Sequence, residues 1–143
     1  AVRSAFDKLM VPDAEGVNVQ KMLRGGREVV LGFTSDPAYG PILMFGLGGI
    51  YVEVMRDVTF KVAPLSDDDA RTLIRSIKGL PLLEGFRGEP GVDLTAIEDA
   101  LLRLSQIAME LEDVAELDIN PLLATAARDR TAVVDARIAL TPA

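Results

Sequence analysis

Residues 114–125 read VAELDINPLLAT and residues 131–140 read TAVVDARIAL, with the polar AARDR between them. Two β-prone apolar runs joined by a short polar stretch mark a hairpin. Along the first run Glu116, Asp118 and Asn120 occupy alternate positions, so a strand turns all three to one face and Leu117 and Ile119 to the other. A turn centred between Ala127 and Arg128 sets Asn120 opposite Asp135, the one acid of the returning strand. Cross-strand neighbours carry Cβ atoms about 5 Å apart. A carboxylate and a carboxamide at that separation can share one hard cation, and Mg²⁺ typically accepts one or two carboxylates and completes its shell with water and substrate phosphates. Pro121 has no N–H for a ladder and announces an irregularity just after Asn120. The same residues would also suit a solvated sheet face.

The rest of the chain supplies partners for that hairpin. VNVQKML, the glycine turn RGGR and EVVLGF read as another hairpin over residues 17–33. TSDPAYGP then punctuates, and ILMF and IYVEV flank the glycines of GLGG. DVTFKVAPL alternates, with Val58, Phe60 and Val62 on one face and Thr59 and Lys61 on the other, the pattern of a half-buried strand. Ser66 and Asp69 form the acidic variant of a capping box ahead of Leu73, Ile74 and Ile77, and that helix should end near Gly79 and Pro81. From the N-cap candidate Asp93, the series Leu94, Ile97, Leu101, Leu104, Ala108 and Leu111 predicts a five-turn amphipathic helix. At the start, Val2, Ala5, Phe6, Leu9 and Met10 share one face of a short leading helix stopped by Pro12. The expected fold is α+β, a largely antiparallel sheet covered by two or three helices.

Composition narrows the function. A chain of 143 residues, 49% hydrophobic and 26% charged, suits one domain with a substantial core. A net charge of −7 disfavours a nucleic-acid surface, and no apolar run reaches membrane-spanning length, so neither nucleic acid nor membrane is an expected partner. The absence of cysteine fits a cytoplasmic protein and excludes thiolate chemistry. The absence of histidine excludes any Ser-His-Asp centre completed by this chain. A start at Ala1 suggests a piece of something longer. Gly46, Gly48 and Gly49 match neither a Rossmann fingerprint nor a P-loop. They permit either a tight turn between strands or a nest of N–H groups that an anion could approach.

The ordered series GVNVQKML, REVVLGFTSDPAYGPILMFGLGGIYVEV, DVTFKVAPL, RGEPGVD, ELDINPL and VVDAR resembles the C-terminal half of the ATP-grasp domain of ADP-forming acyl-CoA synthetases, the acetate-CoA ligase type, with a more distant likeness to the succinyl-CoA synthetase β subunit. The resemblance implies a leading helix over 1–12 from a preceding subdomain and a C-terminal ATP-grasp subdomain over 16–143. It implies Mg²⁺ and ATP or ADP as ligands, with Gln20, Lys21, Met22 and Leu23 along the adenine, Glu28 on the nucleotide, and Lys61 where a basic residue is usual. Asn120 and Asp135 become the expected Mg²⁺ ligands, with Asp118 behind them or at a second ion. Gly46, Gly48, Gly49 and Glu53 match a turn near the active site without a defined role. The reaction implied is acyl-CoA + ADP + phosphate ⇌ carboxylic acid + CoA + ATP, with a phosphohistidine carrier. The expected partners are the N-terminal ATP-grasp subdomain and CoA-binding domains of an oligomeric full-length protein, without which this chain is inactive. An ATP-grasp module fused to an acetyltransferase, or a non-catalytic regulatory domain, is the alternative.

Overall fold

Alternation along the second strand of the sheet sets the two faces of the molecule. A computed structural model describes residues 2–49 and 56–141. The chain runs α1 (Val2–Leu9), β1 (Arg27–Asp36), β2 (Gly40–Leu47), β3 (Val58–Val62), α2 (Asp67–Arg75), α3 (Leu80–Glu84), α4 (Leu94–Glu110), β4 (Val114–Ala124), a 3-10 turn (Arg128–Arg130), β5 (Ala132–Val133) and β6 (Ala136–Leu140). The strands form one antiparallel sheet in the order β3-β2-β1-β4-β5, with β6 continuing alongside β4. Val29, Leu31 and Phe33 of β1 and Leu43, Phe45 and Leu47 of β2 point to the side covered by α2 and α4, where they meet Leu73, Ile74, Ile97, Leu101 and Leu104 in the core. The opposite face of the sheet is left open. This is the expected α+β architecture.

The helix starts follow their sequence signals. The Ser66 Oγ accepts from the Asp69 N–H at 3.2 Å, while the Ser66 N–H donates to the Asp69 carboxylate at 3.0 Å. Two orphan N–H groups at the start of α2 are thereby satisfied reciprocally. Asp93 accepts from the Thr95 N–H at 2.9 Å and starts α4. Pro81 behaves differently from the expectation: α2 stops at Arg75, and Pro81 lies in the first turn of α3, where its missing N–H costs nothing.

The structure refines other expectations. Residues 17–23 form no strand and Met22 is 78% exposed, so the first hairpin lacks one arm. β1 already pairs with β2 on one side and β4 on the other, which leaves no free edge for VNVQKML. On β3 the apolar face is turned outward, with Phe60 61% exposed on the open side of the sheet. Its polar face looks at the helices instead: the Thr59 hydroxyl donates to the Leu73 carbonyl at 2.8 Å, and Lys61 pairs with Asp69 at 2.7 Å. Leu111, placed on the apolar stripe of α4 by spacing, is the exposed C-cap. The IYVEV segment and Glu53 lie outside the described residues, of which Ile50 to Met55 are not part.

Both capping acids should titrate with stability. Hydrogen bonding from Lys61, then from Ser66, holds the Asp69 carboxyl well below the ordinary carboxylate range, and the Thr95 hydroxyl lowers that of Asp93. Their folded pKa values lie below the unfolded value of about 4. Their contribution is therefore present above that pH and lost as pH falls through the folded pKa. The urea midpoint is expected to drop between pH 7 and pH 3, and an Asp69→Asn/Asp93→Asn variant should show a smaller drop. Equal drops in the two proteins would remove these caps from the acid response.

Candidate functional site

The open face of the sheet is ordered in rows across the strands. Phe60, Met44, Gly32, Asp118 and Arg137 are successive cross-strand partners, as are Val62, Ile42, Thr34, Glu116 and Ala139. The β3 and β2 half of this face is apolar, while β4 brings the acids Glu116 and Asp118 and β6 brings Arg137. Between them lies a hollow of about 320 Å³ above Gly32, bordered by Met44, Phe60, Thr34, Glu116 and Asp118.

β4 brings the expected metal residues together. Its register on β6 pairs Asp118 with Arg137 and Ile119 with Ala136, its register on β5 pairs Leu122 with Val133, and the Asn120 N–H donates to the Asp135 carbonyl at 3.1 Å. Asn120 therefore faces Asp135 as the hairpin spacing requires, and both are exposed. Between Val29 and Leu31 the ladder shifts, so that Asn120 and Pro121 together oppose Val30. This is the irregularity that Pro121 announced. Partial burial, then the charge of Glu116, pushes the Asp118 carboxyl up; Asp135 adds to the effect and Arg137 opposes it. Three acids against one guanidinium leave an uncompensated negative patch built of hard oxygen donors, which is the chemistry a hard divalent cation fits. Among the described residues no three acidic side chains converge to cage an ion alone. An ion held here would keep several ligands from water or substrate, the habit of Mg²⁺.

Beside this patch, around the end of the sheet where β1 begins, opens a cleft of about 1010 Å³. Gln20, Lys21, Met22 and Leu23 line it, as do Glu28, Gly48 and Gly49. The Gly48 N–H donates to the Glu28 carbonyl at 2.7 Å, and a β-carbon at Gly48 would stand 2.9 Å from the Glu28 backbone. That close approach is what the bare backbone at Gly48 permits. Gly46 is instead buried in β2 under Val58 and does not reach the cleft. Pro121 and Val134 also line the cleft, so the residues flanking Asn120 and Asp135 border it directly. Lys61 is not brought to either hollow; it lies on the helix side of the sheet, paired with Asp69.

Sequence reading missed the other wall. Leu82 of α3 and Phe86 and Glu89 of the following loop line the cleft, and Arg27 joins them. α3 is held in place by Asp57, 7% exposed, whose carboxylate accepts from the Lys78 N–H at 2.8 Å and the Gly79 N–H at 2.6 Å. No spacing rule finds Asp57, because its partners lie 21 and 22 positions away.

A family model described as an ATP-grasp domain matches residues 2–140. The chain belongs to the ATP-grasp family. It is 47% identical, over 96% of its length, to the β subunit of an ADP-forming acetate-CoA ligase of Pyrococcus furiosus, and spans 62% of that subunit. Among solved structures, the apo form of a dinucleotide-forming acetyl-coenzyme A synthetase 1 of Ca. Korarchaeum cryptofilum superposes with a TM-score of 0.88 at 46% identity, covering 98% of this chain and 66% of that one. A structure of the same synthetase in complex with coenzyme A and Mg-AMPPCP matches with a TM-score of 0.78 at 49% identity, over 82% of this chain and 55% of that one. The six-stranded sheet with its helices on one side is therefore an ATP-grasp fold of the acyl-CoA ligase kind.

Asp57 gives this ATP-grasp chain a measurable wall anchor. Asp57→Ala leaves two N–H groups without their acceptor, each worth about 1–3 kcal/mol when buried. Urea unfolding should show a loss of about 2 kcal/mol or more, with Asp57→Asn, which keeps one acceptor oxygen, losing less. Equal stability of Asp57→Ala and the parent would contradict the anchoring role.

Proposed function

We propose that this chain is the nucleotide- and Mg²⁺-binding half of an ADP-forming acyl-CoA synthetase, which interconverts acyl-CoA, ADP and phosphate with carboxylic acid, CoA and ATP. The observation that carries the reading is the register setting Asn120 against Asp135 at the border of the cleft lined by Gln20 to Leu23. The Pyrococcus furiosus relative supports it, since it is described as the β subunit of an ADP-forming acetate-CoA ligase.

In this reading the backbone of Gln20 to Leu23 reads the adenine and Glu28 takes the ribose hydroxyls. Asn120 and Asp135 hold Mg²⁺, with Asp118 behind them. When bound, the ion offsets phosphate charge, and catalysis of phosphoryl transfer rests largely on such positioning and charge neutralisation. A preceding subdomain and CoA-binding domains supply the other wall, the phosphohistidine and acyl recognition. The exposed apolar face of α1, with Val2, Phe6 and Leu9, suits burial against that subdomain. Lys61 has no part in it, being engaged on the other side of the sheet.

In the full-length protein containing this chain, Asp135→Asn and Asn120→Ala should each lower acyl-CoA-dependent ATP formation by about a hundredfold, as loss of metal-associated partners does. Stability should move by no more than about 0.5 kcal/mol, because both side chains are exposed. The double variant should lose far less than the product of the two, since ligands of one ion act as a unit. Activity measured across a Mg²⁺ titration is the test. Wild-type turnover and an unchanged Mg²⁺ requirement in Asp135→Asn would reduce the hairpin to scaffold.

A further inference from the structure

One wall of the large cleft is built from α3, which Asp57 and the buried Leu83 fix in place, and from the loop over residues 85–91, which has little of its own to hold it. Among the described residues the backbone hydrogen bonds of residues 85–91 are local, from the Gly85 N–H to the Pro81 carbonyl and from the Glu89 N–H to the Phe86 carbonyl. One side chain from the sheet crosses to it. The Arg27 Nε donates to the Leu82 carbonyl at 3.3 Å, and its terminal nitrogen forms an ion pair with the Glu89 carboxylate. Arg27 thus joins the first residue of β1 to both ends of the segment that presents Leu82 and Phe86 to the cleft. The segment Gln20 to Leu23 also lines the cleft and has no strand pairing to fix it.

We propose that Arg27 and Glu89 are positioning residues: their ion pair sets the loop over residues 85–91, the outer part of this wall, at the spacing that receives the nucleotide. This rests on the nucleotide reading above and adds to it a pair outside the adenine, ribose and metal residues. The physical argument is preorganisation. An exposed ion pair contributes little to global stability, and Glu89 is well exposed. A pair spanning a ligand cleft acts differently, because a wall that is already in place does not have to be ordered when the ligand arrives. Losing it should therefore weaken nucleotide binding and leave the folded state and the chemical step much less affected. Arg27 could otherwise have been free to meet a phosphate directly. Its guanidinium is instead committed to a carbonyl and a carboxylate, and a ligand-seeking arginine would gain from removal of Glu89, whereas a tie would lose.

The experiment uses the full-length protein containing this chain, with Mg·ADP as the probe, measured by calorimetry and as KM and kcat in acyl-CoA-dependent ATP formation. Arg27→Ala and Glu89→Ala are each expected to raise Kd and KM for ADP about five- to tenfold, equivalent to a loss of about 1 kcal/mol. The change in kcat and in thermal midpoint should be far smaller. The swap Arg27→Glu/Glu89→Arg should bind better than the weaker single variant. Singles that bind like wild type, a Glu89→Ala variant that binds more tightly, or a swap no better than the weaker single would each overturn the proposal. Wild-type protein that neither binds nor turns over Mg·ADP would overturn the nucleotide reading itself and this inference with it.

Discussion

One extra residue in β4 governs both faces of the sheet. Leu31 pairs with Ile119 and Val29 with Leu122, so the two steps from Leu31 to Val29 are matched by three on β4. A strand without that insertion keeps strict alternation. Leu117 and Ile119 would then face α4, and Leu122 and Ala124 would be turned out with Asn120. The bulge rephases the strand between Ile119 and Leu122, so Leu117, Leu122 and Ala124 all enter the core while Glu116, Asp118 and Asn120 stay on the open face. Proline fits at this point because the bulged residue leaves the ladder, where its missing N–H is not missed. The core under α4 and the acidic patch above it are thus consequences of the same local shift.

The open face depends equally on what is left off it. Gly32 stands between Met44 and Asp118, and any side chain there would fill the hollow that both border. The same position meets the Leu117 carbonyl so closely that a β-carbon would lie 2.3 Å from it. Close packing of β1 on β4 and the presence of the hollow therefore have one cause. Asp118 feels the result: half-buried next to Glu116 and without a hydrogen-bond donor from β1, it is pushed toward protonation.

Local rules reached most of the fold. The Ser66 and Asp93 caps, the stripe of α4 and the pairing of Asn120 with Asp135 all follow from periodicity and turn placement, because each is decided within a few residues or one hairpin. Residues 17–23 were misread since β propensity records what a segment could do, and whether an edge is free is a property of the whole sheet. The orientation of β3 was open for a related reason. Alternation shows that Val58, Phe60 and Val62 share a face but not which side the helices cover, and here Thr59 and Lys61 take the covered side through Leu73 and Asp69. Asp57, Arg27 and Glu89 were invisible, as their partners are distant in sequence and their residue types carry no signal of it.

The fate of Lys61 changes where positive charge can come from. Family likeness put a basic residue at this position near the nucleotide, yet its parity on β3 aims it at the capping box of α2. Arg137 is the one cation among the described strand residues of the open face, and it stands opposite Asp118. A polyphosphate lying on this face would thus meet three acids and a single guanidinium. Binding could be favourable only if a metal ion at Asn120 and Asp135 reversed the local sign and further cations approached from the side facing the sheet. In the proposed reading, the charge pattern of the strands therefore assigns oxygen ligands and a floor to this half of the cleft, and the positive groups that hold phosphate to the preceding subdomain.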